Sequence, residues 1–275
     1  MISKNIKYYR LMKSMSKKKL ANAINVTPMA ISNYESGKRT PDMEILKKIA
    51  SVLNVRIADF LIVRNENIEF SHNEFRKYSS LSKEKQDLIY EIIEEYFSRF
   101  MDSVEILGGN VLPNAPICHT LKITHDPEVD ALELRKHLNF APDGPLDDLI
   151  GNLENKGFLI LLQEIDDEKF SGINGFVNNR PYIMLNKKMS QERNRSTIVH
   201  ELAHLMFNWN EANLNEKEIE NYATMISGAF LFPKVDAIRE LGIRRKFISK
   251  DMILVAVEYG ISMMLLAKRA ELLNI

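Results

Sequence analysis

The segment His200-Glu201-Leu202-Ala203-His204 constrains this chain more than any other stretch. Its two histidines stand four residues apart, with Ile198-Val199 before them and Leu205-Met206-Phe207 after. On an α-helix, positions i and i+4 share a face about one turn apart, so both imidazoles can reach one metal ion. Glu201 sits beside them, where a carboxylate can act as general base on a metal-bound water. The apolar flanks bury the remainder of the helix and give the site a dry wall. With only six histidines in 275 residues, a chance H-E-x-x-H is expected about 0.01 times. The chain must therefore supply a core helix, expected from near Ser196-Thr197, and a neighbour that completes the site.

A catalytic zinc site needs a third protein ligand and one open position. A helix over 215–231 is the natural source. Glu220, Ala223, Thr224 and Ser227 share one of its faces, and small residues there permit close approach to the histidines. Glu220 then points at the metal. Glu216, one turn earlier, is the alternative, and Glu218 faces elsewhere. Upstream, residues 126–154 read as helical, and Phe158-Leu159-Ile160-Leu161-Leu162 as a buried strand. Ile173–Val177 and Tyr182–Leu185 read as strands around a turn at Asn178-Asn179-Arg180-Pro181. The Tyr182–Leu185 strand is expected near the site, holding an extended peptide by adding it to a sheet edge.

Composition enters through charge. The formal net charge is zero, but residues 1–63 hold 12 Lys/Arg against 4 Asp/Glu, and the rest hold 25 against 33. A balance of opposite halves suggests two functions in one chain. The basic segment reads as five short helices. Ser16 caps the second, Asn25 suits a tight corner, and Thr27-Pro28 opens the third. Thr40-Pro41 repeats that start for the fourth, and 57–63 is a short apolar closing helix. Two helices about a tight turn, the second with polar outward residues, form a helix-turn-helix.

The order Leu20-Ala21-x-x-Ile24-Asn25-Val26-Thr27-x-x-x-Ile31-Ser32-x-x-Glu35-x-Gly37 resembles the lambda-repressor-like (Xre) family over nearly all of residues 3–61. Asn25 stands where that family usually has a turn glycine. The resemblance implies that Thr27–Glu35 enters the major groove of an operator in double-stranded DNA. Thr27 would begin that helix, and Pro28, Met29, Ser32 and Asn33 would meet base edges. Lys17, Lys18, Lys38 and Arg39 would meet phosphates, making binding salt-dependent.

The second segment carries its own resemblance. Ser196 through His204, then Ile219-Glu220-Asn221-Tyr222-Ala223 and Phe230-Leu231-Phe232-Pro233, is similar to the ImmA/IrrE family of gluzincin-type metallopeptidases. The likeness runs from about residue 75 to the C-terminus. It implies one zinc ion per chain held by His200, His204 and Glu220, with Glu201 catalytic. Thr224 stands where the family carries Asn or Asp, and Ile226-Ser227 where it carries Phe-Ala. The fold class expected is mainly α with a small β-sheet (α+β): an all-α helix-turn-helix domain followed by a zincin-like metallopeptidase domain.

The expected boundaries are 1–66 for the DNA-binding domain, 67–110 for a linker and connector helix, and 111–275 for the peptidase domain. The polar stretch 64–78 reads as a linker or arm. From Ser82, apolar residues Leu88, Ile89, Ile92, Ile93, Tyr96, Phe97, Phe100, Met101 and Val104 make one stripe. It packs on the chain's own second domain or forms a homodimer seam. The longest apolar run is six residues, 252–257, where a membrane span needs about 18. The start of the chain lacks a signal-peptide core, and the lone Cys118 allows no internal disulfide. A cytoplasmic protein with no membrane partner is expected.

Two functions compete. In the first, a DNA-binding regulator carries a site-specific zinc endopeptidase that cleaves a repressor-type protein or itself, in a stress, mobile-element or phage circuit. In the second, a non-catalytic repressor or antitoxin uses its peptidase-like domain to grip a protein partner such as a repressor or toxin. Glu201 favours the first, because a pure binder has no need of a general base.

Overall fold

The computed structural model describes residues 1–63, 67–72, 81–245, 247 and 249–275. The described residues fall into two compact units. The first contains α1 (Ile2–Met12), α2 (Lys17–Ala23), α3 (Pro28–Glu35), α4 (Met43–Leu53), a 3-10 turn at Ile57–Leu61, and α5 (Lys83–Ile106). Ile6, Leu20, Ile31, Ile49, Leu53 and Phe60 are fully buried at its centre.

Local chemistry sets the helix starts. The Ser16 hydroxyl accepts from the Lys19 amide and Thr27 Oγ1 from the Ala30 amide, each at 3.2 Å. Both satisfy amides that a helix leaves unpaired at its N-terminus. Asn25 takes the left-handed conformation at φ +57° and turns the chain from α2 into α3. The fourth helix does not begin at Thr40-Pro41. Asp42 caps it instead, accepting from the Ile45 amide at 2.8 Å, and its negative charge suits a helix N-terminus. The closing segment is a 3-10 turn ending at Leu61, fixed by Asp59 accepting from the Arg56 amide at 2.8 Å.

A buried ion pair ties α1 to α3. Arg10 Nη2 donates to Glu35 Oε2 at 2.9 Å, and Arg10 Nε donates to the other oxygen. The long helix α5 packs against α1, where Lys7 meets Glu91 at 3.0 Å.

The second unit contains β1 (Phe70–His72), α6 (Pro127–His137), α7 (Leu149–Glu154), β2 (Leu159–Gln163), β3 (Gly172–Val177) and β4 (Arg180–Asn186). It continues with α8 (Gln191–Met206), a 3-10 turn at Trp209–Glu211, α9 (Glu216–Leu231), α10 (Lys234–Leu241), α11 (Lys250–Tyr259) and α12 (Met263–Leu272). The sheet order is β1-β3-β4-β2. β3 and β4 form a hairpin through Asn178 and Asn179, both at positive φ, as a two-residue turn of type I′ requires. β2 pairs with β4 in parallel, Leu159 opposite Tyr182. α8 lies on β3 and β4, and α9 lies between α8 and α6. The architecture is α+β, with α-helix predominant.

Four expectations are corrected here. Tyr182–Leu185 lies in β4, which is hydrogen-bonded on both sides, so it offers no edge to a peptide. The helix of the H-E-x-x-H motif starts at Gln191, five residues before Ser196, because Ser190 caps it through the Arg193 amide. Residues 126–154 are two short helices, broken by left-handed turns at Asn139 and Gly144. Of the linker expected over 64–78, residues 64–66 and 73–78 lie outside the described residues, and Phe70–His72 is a strand on β3.

Candidate metal centre and DNA-reading surface

The ends of α9 explain how its side chains are aimed. Asn215 caps its N-terminus in a reciprocal box with Glu218, so Glu218 is engaged away from the histidines. At the other end, two buried arginines take up the exposed backbone carbonyls. Arg135 donates to Phe230 O at 2.8 Å, and to Ala141 O and Gly144 O. Arg269 donates twice to Phe232 O at 3.0 Å. A helix end buried without such partners would be costly. Between these ends, Ala223 and Ser227 are buried. Their small size lets α9 approach α8, and the Ser227 hydroxyl donates to Ser196 O at 2.9 Å.

That approach brings three candidate ligands together. His200 Nε2 and His204 Nε2 are 3.1 Å apart. Glu220 Oε2 lies 3.4 Å from the first and Glu220 Oε1 lies 3.3 Å from the second. Among the described residues, this is the group of His, Cys, Asp and Glu whose ligand atoms all fall within 4.8 Å of one another. Glu216 lies a turn away and is not in it.

The donor set suits zinc. Thr224 Oγ1 donates to Glu220 O at 2.9 Å and lies 3.3 Å from His200 Nδ1. With its proton spent on the carbonyl, the hydroxyl can only accept from Nδ1–H. That tautomer leaves the Nε2 lone pair of His200 facing His204 and Glu220. Two imidazole nitrogens and a carboxylate then converge, which matches the three protein ligands of a catalytic zinc site.

Sequence reasoning missed two neighbours. Asn174, on β3 and buried, donates from Nδ2 to Glu201 Oε2 at 2.6 Å. Nothing in the spacing of the chain links residues 27 apart. Trp209, which packs against the core, places its ring 5.7 Å from that of His204 and donates to Ala203 O. Tyr222 stacks edge-on with Trp209 and donates its hydroxyl to Asp130 at 2.7 Å. Burial and that carboxylate push the Tyr222 phenol well above its usual range. Cys118 stands outside the site, and burial pushes its thiol up to about 11, which makes it a poor nucleophile.

In the first unit, α3 presents Pro28 and Met29 to solvent, with Met29 68 % exposed. Ser32 and Asn33 are half-buried beside them. Lys18, Lys38 and Arg39 are exposed. Lys17 reaches back over α3, 3.4 Å from Ser32 Oγ and 3.7 Å from Glu35. Thr27 is occupied as the cap of α3.

Comparison with known proteins finds two separate matches along the chain. Residues 6–60 match a family described as helix-turn-helix, and residues 156–271 a peptidase family described as the IrrE N-terminal-like domain. The uncharacterized HTH-type transcriptional regulator YqaE of Bacillus subtilis (strain 168) is 31 % identical over 77 residues, 28 % of this chain and 66 % of that protein. Multiprotein-bridging factor 1 of Candida glabrata is 38 % identical over 56 residues, 20 % of this chain and 37 % of its own length. The SPbeta prophage-derived regulator YonR of B. subtilis (strain 168) is 26 % identical over 107 residues, 35 % of this chain and 97 % of its own. Among solved structures, a SinR/SinI complex aligns at TM-score 0.22 and 25 % identity, covering 40 % of this chain and all of that one. Bacillus thuringiensis PlcR, with a peptide and DNA, aligns at 0.21 and 19 %, covering 55 % of this chain and 54 % of that one. Scores this low describe local likeness only. No helix among the described residues is long and apolar enough to cross a membrane.

Proposed function

We propose that this chain, an Xre-type helix-turn-helix domain joined to an IrrE-like peptidase domain, is a DNA-binding transcriptional regulator with a zinc-dependent endopeptidase built in. The observation that carries the reading is the convergence of His200, His204 and Glu220 beside a buried Glu201 whose carboxylate is held by Asn174. A binding surface has no use for an oriented general base.

His200, His204 and Glu220 would hold the zinc ion. Bound there, zinc supplies Lewis acidity toward a peptide carbonyl and lowers the pKa of its water. Asn174 fixes one oxygen of Glu201, so the other is the one that takes the proton of the attacking water and passes it to the leaving amine. Thr224 holds the His200 ring in its ligating tautomer. The domain boundaries at 66 and 110 are part of the same reading.

On the DNA side, Pro28, Met29, Ser32 and Asn33 face base edges, with Lys17, Lys18, Lys38 and Arg39 on phosphates. The resemblance to a prophage-derived HTH-type regulator supports a mobile-element or phage circuit, in which the substrate is a repressor-type protein or this chain itself.

Glu201→Gln is the deciding variant. It should leave DNA binding and zinc content unchanged and abolish derepression in cells. If the Glu201→Gln strain derepresses like wild type, the domain is a grip for a protein partner and the peptidase reading fails.

A further inference from the structure

β3 is the strand that touches the proposed general base, through Asn174 and Glu201. In the order β1-β3-β4-β2, one side of β3 is taken by β4 and the other by β1. An extended backbone added to the sheet beside Glu201 would have to lie where β1 lies. β1 pairs antiparallel, with Phe70 opposite Val177, Ser71 opposite Phe176 and His72 opposite Gly175. Its last described residue, His72, is thus one step short of the level of Asn174.

The edge is shaped for a close backbone. A side chain at Gly175 would put its Cβ 2.4 Å from Ser71 O and 2.7 Å from the Tyr182 hydroxyl. A glycine inside a strand often marks such an approach.

Among the described residues, the strand on that edge has few buried contacts. None of its three residues is buried. It is fastened at one end by Glu69, whose carbonyl accepts from the Asn178 amide at 2.9 Å and whose amide donates to Asn178 Oδ1 at 2.8 Å. At the other end, His72 Nδ1 is hydrogen-bonded to the Tyr182 hydroxyl at 2.7 Å. β4, by contrast, is buried from Pro181 to Asn186. Segments with few buried apolar contacts open locally at low cost. The chain before Glu69 and the helix α5 after it belong to the DNA-reading unit, so β1 is a short loan from that side of the sequence.

We propose that β1 is a self-supplied competitor: it occupies the sheet edge that receives an extended substrate backbone, and the site is open only when β1 is lifted from β3. The identity of the ligand as a peptide substrate rests on the peptidase reading above, whereas the displaceable strand rests on the pairing itself.

The test uses the full chain carrying Glu201→Gln, without added zinc, so nothing is cut. The probe is a fluorescein-labelled synthetic peptide with the sequence of residues 67–72, followed by anisotropy. Alternation of antiparallel pairs from the Glu69–Asn178 bond makes Ser71–Phe176 a hydrogen-bonded pair. Ser71→Pro therefore removes a ladder donor and should bind the probe at least tenfold tighter than its parent. The amides of Phe176 and Asn178 should exchange faster in that variant and regain protection with probe. Should Ser71→Pro unfold the unit, His72→Ala removes the bond to Tyr182 together with the stacking of the ring on Phe70. One hydrogen bond corresponds to a gain of roughly 2- to 12-fold. No gain in either folded variant, with Phe176 and Asn178 as protected in the parent as the amides of β4, overturns the inference and makes β1 a permanent strand. A chain that never cleaves a protein would still show the gain, so the two readings fail separately.

Discussion

Zinc should stabilise the second unit by linkage, and its one tryptophan sits where it can report this. His200 and His204 come from α8 and Glu220 from α9, so the full ligand set exists only when these helices are packed. A ligand that binds the folded state alone stabilises it by RT ln(1 + [L]/Kd), about 2.7 kcal/mol at 100 times Kd. For a unit of this size, each kcal/mol moves the midpoint by about 2–4 °C, so saturating zinc should raise it by roughly 5–11 °C. Trp209 is the only tryptophan in the chain, and its ring lies 5.7 Å from that of His204. Its emission should respond to zinc in the folded protein and then follow the thermal transition of this unit rather than that of the helix-turn-helix. His204→Ala and Glu220→Ala should each lose most of the rise. Glu216→Ala should keep it, because Glu216 lies outside the cluster. A wild-type midpoint unchanged by zinc, or a Glu220→Ala variant that keeps the full rise while Glu216→Ala loses it, would refute this ligand set.

Three further outcomes follow from single side chains. Thr224→Val keeps the shape but removes the hydroxyl 3.3 Å from His200 Nδ1. Loss of such a support typically costs 10–100-fold in metal affinity, and at this distance about tenfold is expected in a competitive chelator titration; unchanged affinity would mean that the contact does not set the tautomer. Arg135→Met removes the donors to Phe230 O, Ala141 O and Gly144 O, leaving the buried Phe230 carbonyl unpaired at about 1–3 kcal/mol while the two part-buried carbonyls can turn to water. A loss of at least ~1 kcal/mol is expected in denaturant melts read at Trp209, and no loss would show that water takes over the Phe230 acceptor as well. Burial raises the Cys118 thiol to about 11, which disfavours the thiolate. Against a free cysteine near 8.5, alkylation by iodoacetamide at pH 8 should be slower by roughly two orders of magnitude and should accelerate about tenfold per pH unit up to pH 10. Rapid modification at pH 7 would contradict the burial.

What the sequence disclosed was whatever local chemistry dictates. Ser16, Thr27 and Asn25 act as caps and corner because hydroxyls bond nearby amides and Asn tolerates positive φ, and neither effect depends on distant residues. The H-E-x-x-H spacing is likewise local. Where two local signals compete, the charged cap wins: Thr40-Pro41 has the pattern of a helix start, but Asp42 caps the helix. The polar first turn of α8, Gln191 to Asn194, hid the true start because it interrupts the apolar periodicity that marks a helix.

Pairing across the sheet is a different kind of information. That β2 returns parallel to β4 and makes it an interior strand follows from a crossover, and no residue of Tyr182–Leu185 announces it. The same limit hid Asn174 but left a trace. Asn174 lies between Ile173 and Gly175 in a strand where residues 173–175 are all buried. A buried amide must find a partner or cost about 1–3 kcal/mol. The only carboxylate of the motif that is not a candidate ligand, Glu201, is the partner it finds. A polar residue on the inward side of an otherwise apolar strand is therefore the signal that a site lies opposite. Here it marks β3 as the strand whose edge matters, and β1 as the segment whose removal would show it.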